Sequence, residues 1–134
     1  MDIKLVEVEN CHTVSSNGFQ RISIFNFENT NCNELSMEMV ILPKGEESTP
    51  HSHVETHTMV FTLSGEVTLY FGDQLQHNLS VTKSACVYIP PGTIHYVVNH
   101  NEEPMVAIVA RSPYLHKVIE YPKLQSQIGQ IKNQ

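Results

Sequence analysis

Short runs of alternating or β-branched apolar residues are the main pattern along the chain, and turn-forming residues interrupt them about every eight to twelve positions. Eight of these runs predict strands, at residues 3–8, 21–27, 36–42, 57–63, 66–71, 86–89, 95–99 and 105–110. Polar segments rich in turn formers lie between them, such as NTNCNE, PKGEESTP and NHNEEP. Many short strands with regular punctuation predict an all-β fold, either a sandwich or a closed barrel.

The chain of 134 residues is long enough to bury a core of its own, and no internal repeat divides it. We therefore expect one domain over residues 1–134. The glutamine-rich end, residues 124–134, is weakly patterned and predicts a short helix or a loose tail.

Composition narrows the classes of partner. The net charge is −6, and only eight Lys and Arg residues are spread along the chain, which argues against nucleic acid or an anionic membrane as a partner. No apolar run reaches the ~20 residues of a membrane span, and the N-terminal residues lack the pattern of a signal peptide. Three unpatterned cysteines fit reduced thiols, so we expect a cytoplasmic protein.

Histidines are concentrated in two short segments, HSHVETH (51–57) and IPPGTIH (89–95), which hold half of the chain's eight histidines. Neutral imidazole is the commonest protein ligand for divalent transition metals. His51 and His53 are two residues apart, so on a strand both side chains lie on one face. The two segments therefore predict a metal site. We expect the remaining histidines to be solvated, namely His12, His77, His100 and His116.

Strand parity predicts where His57 lies. In residues 57–63 the odd positions, His57, Met59, Phe61 and Leu63, are more apolar than the even ones. Odd positions are therefore expected to face the interior, and His57 with them.

Both segments resemble the two conserved motifs of the cupin family. Gly45, His51, His53 and Gly65 match G-x5-H-x-H-x3,4-E-x6-G. The second motif, P-x-G-x2-H-x3-N, is matched by residues Pro90, Gly92, His95 and Asn99, with Ser84 standing where the family has a further glycine. The resemblance covers residues 45–99 and implies a double-stranded jelly-roll barrel that holds a metal inside.

The family's glutamate ligand is the one departure. The two permitted spacings fall on His57 or Thr58, and Glu55 shares strand parity with the histidines. We favour His57, so the resemblance implies a four-histidine metal centre of His51, His53, His57 and His95. One divalent ion is expected, and Fe, Mn, Zn, Ni and Cu all suit imidazole ligands.

Neutral imidazoles leave such an ion its full charge, which favours an anionic ligand. The resemblance implies a metal-dependent enzyme of the dioxygenase type acting on a small anionic or enolisable organic substrate. A non-redox isomerase, decarboxylase or cyclase and a non-catalytic small-molecule-binding cupin are the alternatives. Glu55, Tyr88 and Tyr96 are the candidate acids or bases beside the metal. A homodimer is also expected from the resemblance.

Overall fold

The computed structural model describes residues 2–124. These residues form eleven strands: β1 (Thr13–Ser16), β2 (Phe19–Phe25), β3 (Ser36–Leu42), β4 (His51–Val54), β5 (His57–Ser64), β6 (Val67–Phe71), β7 (His77–Val81), β8 (Cys86–Ile89), β9 (His95–Val98), β10 (Met105–Ser112) and β11 (Lys117–Glu120). One short helix, α1 (Phe27–Thr30), and two 3-10 turns, Val8–Asn10 and Pro122–Leu124, complete the described elements.

The strands form two antiparallel sheets. The six-stranded sheet has the order β1-β2-β3-β10-β5-β8, and the five-stranded sheet has the order β11-β4-β9-β6-β7. Neighbours that are distant in sequence, such as β3 and β10, pair over seven residues, from Met105 opposite Leu42 to Arg111 opposite Ser36. The predicted all-β jelly-roll barrel is confirmed.

Apolar side chains from both sheets form the core between them. The main cluster contains buried residues of β2, β3, β6, β7 and β10, namely Phe19, Val40, Leu42, Val67, Leu69, Val81, Met105, Ala107 and Val109. A second cluster, built on Tyr96 and Val98, packs against the Pro122–Leu124 turn. Burial of these side chains supplies the main favourable free energy of folding.

The predicted strand at residues 3–8 is wrong. Residues 2–7 have no regular structure, and Ile3 and Leu5 are exposed, because this segment pairs with no neighbouring strand. The strand at 21–27 ends early, at Phe25, because Asn26 and Asn29 form a capping box that starts α1. Strands β1, β4, β7 and β11 were not predicted, since their sequences are polar or lack a clear alternation.

The C-terminal prediction is tested only at Leu124, which closes a 3-10 turn, and residues 125–134 lie outside the described residues. Within residues 2–124, no helix is long and apolar enough to cross a membrane.

Candidate metal centre

Two paired strands bring three histidines together beside a cavity. His51 and His53 lie on β4, and His95 begins β9 directly opposite His51. The ring centroids are 4.3 Å apart for His51 and His95 and 5.0 Å apart for His51 and His53. One ring nitrogen from each of the three lies within 4.8 Å of the others, so the imidazoles converge on a common point.

Local hydrogen bonds fix the tautomers of two of these rings. The Nδ1–H of His51 donates to the carbonyl oxygen of Thr49 at 2.7 Å, and that of His95 donates to Thr93 at 2.9 Å. A carbonyl oxygen only accepts, so Nδ1 carries the proton in both rings. The lone pair of each ring is therefore on Nε2, the atom left to bind a metal.

The third ring is fixed by another histidine. The Nδ1 of His53 lies 2.8 Å from the Nε2 of His116, whose own Nδ1–H donates to the carbonyl of Tyr114 at 2.7 Å. A neutral His116 that donates from Nδ1 has its lone pair on Nε2 and accepts from His53, which leaves the lone pair of His53 on Nε2 as well. The expectation that His116 is solvated is wrong, because β11 pairs with β4 and places the half-buried His116 beside His53.

Burial keeps the three converging imidazoles neutral. Desolvation, reinforced by the positive charge of Arg111, lowers the pKa of His53 from 6.5 to about 2. Desolvation and the neighbouring His51 lower the pKa of His95 to about 4. The pKa of His51 is also lowered, chiefly by burial. At neutral pH all three rings are therefore in the form that binds metals.

A cavity of about 80 Å³ opens beside the histidines. Its polar lining consists of the three histidines with Arg21, Thr58, Thr62 and Arg111. The other lining residues are apolar and belong largely to the main core cluster. The hydroxyl groups of Thr58 and Thr62 are buried and have no hydrogen-bond partner among the described residues, so they are available to a ligand in the cavity.

The parity predicted for β5 is wrong, and His57 lies away from the three histidines. The even positions Thr58 and Thr62 are buried and line the cavity, whereas His57 is exposed. His57 instead forms a 2.7 Å hydrogen bond with the hydroxyl of Tyr88 on the outer surface. The prediction failed because Met59 and the other apolar odd residues of β5 remain exposed. Thr58 therefore occupies the inward position that strand parity predicts for His57.

None of the three candidate acids or bases lines the cavity. Glu55 is exposed, with a positive φ of 61° in the turn between β4 and β5. Tyr88 lies on the outer face with His57, and Tyr96 is buried in the second apolar cluster, stacked on Tyr70. Burial raises the pKa of Tyr96, which keeps its hydroxyl protonated.

Asn99 connects the loops that support the site. Its side-chain amide donates to the carbonyls of Leu42 and Glu103, and its side-chain oxygen accepts from the backbone of Asn101. The backbone of Asn99 also bonds to Gly45 and Glu46. The residue is fully buried and holds the loop after β9 against the loop after β3.

Sequence reasoning missed Arg21 and Arg111, which it treated only as scattered charges. Arg21 follows the buried Phe19 by two positions, and Arg111 follows the buried Val109 by two. Arg111 therefore continues the inward-facing apolar series of β10, and that alternation could have identified it as an interior residue. The sequence of β2 carries no such signal for Arg21, because only Phe19 precedes it on the same parity.

Comparison with known proteins agrees with the fold. The family model described as Cupin domain matches residues 38–111, more than half of the chain, so the protein belongs to the cupin family. No curated protein sequence matches the chain.

Several solved structures share the fold at low sequence identity. The polyketide cyclase RemF from Streptomyces resistomycificus superposes with a TM-score of 0.75 at 17% identity, covering 89% of this chain and 85% of that one. KdgF from Halomonas sp. gives 0.70 at 17% identity, covering 84% and 94%. Oxalate decarboxylase OxdC from Bacillus subtilis gives 0.71 at 18% identity, and the match covers 84% of this chain but only 30% of the decarboxylase.

The three converging histidines fit a divalent transition metal. Their donor atoms are neutral, preorganised and close together, and imidazole suits this group of ions. Oxygen ligands would instead indicate Mg²⁺ or Ca²⁺, and thiolates would indicate softer ions.

Proposed function

We propose that His51, His53 and His95 bind one divalent transition metal and that the protein is a metal-dependent enzyme acting on a small anionic or enolisable organic molecule. The observation that carries this proposal is the convergence of three neutral imidazoles, each with Nδ1 hydrogen-bonded, at the edge of a cavity. Hydrogen bonds on the far nitrogen are typical of metal-binding histidines, because they orient the ring and raise its basicity.

A three-histidine set leaves one more coordination position of the metal open than the expected four-histidine set. Three neutral ligands preserve the full charge of a divalent ion, as four would, and so favour an anionic partner. They also leave an open position even for an ion that prefers four ligands, such as zinc. Zinc is therefore as compatible with chemistry at this site as iron, manganese, nickel or copper.

The chain's own contribution is a cavity with largely apolar walls and a few polar groups. The unpartnered hydroxyls of Thr58 and Thr62 can donate hydrogen bonds to an oxygen of the substrate. A bound metal would supply Lewis acidity or, if redox-active, activation of dioxygen. Arg21 and Arg111 provide positive charge in the same cavity.

We propose a dioxygenase-type reaction first and a non-redox decarboxylation, cyclisation or isomerisation second. The second class is favoured by the structural likeness to an oxalate decarboxylase and a polyketide cyclase. It is also favoured by the open position that three histidines leave on a non-redox ion.

The test compares metal-loaded wild type with His53→Ala, using His57→Ala as the matched control from outside the cluster. Oxygen uptake with a panel of enols and catechols tests the first class, and product formation from the same panel without oxygen tests the second. Turnover that His53→Ala loses and His57→Ala keeps would support an enzyme at this site. Metal and ligand binding without turnover on any substrate would support the non-catalytic binding module instead.

A homodimer, a cytoplasmic location and a single domain over residues 1–134 remain predictions. Exposed apolar side chains on the outer face of β5 and β8, among them Met59, Phe61 and Tyr88, support pairing with a second copy. A molar mass of two chains by light scattering, reduced to one chain in Phe61→Glu, would confirm the dimer.

A further inference from the structure

Three adjacent strands bring a charged triad to the inner face of the barrel. Arg21 lies on β2, Glu38 on β3 and Arg111 on β10, and these strands are neighbours in the six-stranded sheet. Each of the three side chains is mostly shielded from solvent, with 22%, 17% and 16% of its surface exposed.

One carboxylate oxygen holds both guanidinium groups. The Nη1 atoms of Arg21 and Arg111 lie 2.8 Å and 2.6 Å from the same Oε1 of Glu38. Two positive charges and one negative charge leave the triad at +1. The Nε–H of Arg111 is buried and has no hydrogen-bond partner among the described residues. Among the described residues, neither arginine forms an ion pair with a second carboxylate.

Both arginines border the same cavity as the histidines, and Arg111 also borders a second cavity lined by Glu38, Tyr114 and His116. Arg21 and Arg111 line the first cavity together with His51, His53 and His95. The positive charge of Arg111 contributes to the lowered pKa of each of these histidines, which places it within electrostatic reach of all three.

The opposite part of the cavity is apolar. Its lining there includes core side chains such as Val67, Leu69, Val81 and Met105. A molecule that fits both parts has one anionic end and a hydrocarbon body. The cavity of about 80 Å³ is small, well below the several hundred Å³ typical of drug-sized ligands.

We propose that Arg21 and Arg111 form a carboxylate-binding subsite beside the three-histidine centre, and that the substrate is a small organic monocarboxylate whose apolar body occupies the hydrophobic end of the cavity. Guanidinium groups match the geometry of a carboxylate through paired N–H donors. One carboxylate neutralises the excess charge of the triad. That the bound carboxylate is a substrate rests on the proposed function. Binding of the carboxylate depends only on these two arginines.

The experiment measures binding of butanoate and of its neutral isostere, butanamide, to metal-free wild type by calorimetric titration. Butanoate is expected to bind at least tenfold more tightly than butanamide, because only the carboxylate pairs with the arginines. Acetate is expected to bind more weakly than butanoate, because it lacks the hydrocarbon body. Equal affinities for butanoate and butanamide, or no binding of butanoate, would overturn the proposal.

Variants locate the subsite. Arg21→Gln and Arg111→Gln are each expected to weaken butanoate binding at least tenfold. Lys44→Gln removes a cation from the exposed ion pair with Glu102 and is the matched control, with no change expected. Arg111→Lys keeps the positive charge beside Glu38, and it replaces Arg111→Gln in this test if that variant does not fold. It should bind butanoate more weakly than wild type, because lysine lacks the paired donors. Unchanged affinity in folded Arg21→Gln and Arg111→Lys would contradict the proposal.

Metal content separates this inference from the proposed function. Arg21→Gln is expected to retain the wild-type metal content after loading, since Arg21 is not among the converging ligands. Wild type that binds butanoate but no metal would leave the carboxylate subsite standing and refute the metal centre. Wild type that binds metal but binds butanoate and butanamide equally would refute the carboxylate subsite and leave the metal centre standing.

Discussion

The Nδ1 of His53 and the Nε2 of His116 are 2.8 Å apart, although 63 residues separate them in the sequence. This contact joins β4 to the residue just before β11, and the carbonyl of Tyr114 fixes the direction of its hydrogen bond. His116 therefore acts on the proposed metal through His53, as a positioning residue that keeps the lone pair of His53 on Nε2.

His116→Ala is expected to weaken metal binding by roughly 10- to 100-fold, the range typical for loss of a hydrogen bond to a metal-binding histidine. Competition with a chromogenic chelator measures the affinity. His116→Gln can still accept from His53 through its amide oxygen and should recover part of the loss. Exposed His100 supplies the control, His100→Ala, with wild-type affinity expected. An unchanged affinity in His116→Ala would mean that the His53 ring is held without it.

Thr58→Glu is expected to place a carboxylate in the cavity beside the histidines, at one of the two positions where the cupin motif allows a glutamate. The variant should retain the metal and bind azide several-fold more weakly, because the added negative charge lowers the positive field of the ion. His57→Glu is the matched control, and its exposed position should leave azide affinity unchanged. Azide titrations at equal metal loading measure both. An effect in His57→Glu but not in Thr58→Glu would contradict the placement of these side chains.

The metal-free protein is expected to lose stability as the pH falls below about 6.5. An unfolded chain protonates its histidines near that pH, whereas the pKa of folded His95 is lowered to about 4 and that of His53 to about 2. Between pH 6.5 and 4 the unfolded state therefore binds more protons, so the free energy of unfolding decreases with falling pH. Each such histidine contributes up to about 1.4 kcal/mol per pH unit.

Urea unfolding of metal-free wild type and His95→Gln from pH 7.5 to 4.5 measures this effect. The variant lacks one of the depressed groups, so its stability should fall less steeply than that of wild type. The exposed His100→Gln should follow the wild-type curve. Parallel curves for wild type and His95→Gln would contradict the lowered pKa of His95.

Asn99→Ala is expected to destabilise the protein by about 2–4 kcal/mol, because it leaves the buried carbonyl of Leu42 and the partly buried carbonyl of Glu103 without their donor. Exposed Asn78 on β7 supplies the control, Asn78→Ala, with a change below about 0.5 kcal/mol. Chemical denaturation measures both. If Asn99→Ala loses no more stability than Asn78→Ala, the hydrogen bonds of the Asn99 side chain are not needed to hold the two loops together.

The sequence was most informative where the chemistry is local. The spacing of His51 and His53 places both on one strand face, and the Pro-Pro-Gly turn leads directly into His95. Resemblance to a family motif supplied what spacing alone could not, namely that these two segments meet in space.

Non-local relationships were harder to predict. His57 was placed on the wrong face because hydrophobicity does not distinguish a buried surface from an exposed apolar one, and Phe61 on the same strand is 43% exposed. His116 reaches His53 only through the pairing of β11 with β4, and β11 has two adjacent apolar residues, Val118 and Ile119, in place of an alternation that would reveal a strand. The same lack of pattern hid the other polar strands.

Metal stoichiometry tests the central claim most directly. Wild type and the single variants His51→Ala, His53→Ala, His95→Ala and His57→Ala would be loaded with Fe²⁺, Mn²⁺, Zn²⁺, Ni²⁺ or Cu²⁺, desalted and analysed by plasma mass spectrometry. We expect one ion per chain in wild type and His57→Ala with at least one of these metals, and a large loss in each of the other three variants, whose histidines converge. Full occupancy in His51→Ala, His53→Ala or His95→Ala, or no bound metal in wild type with any of the five ions, would contradict it.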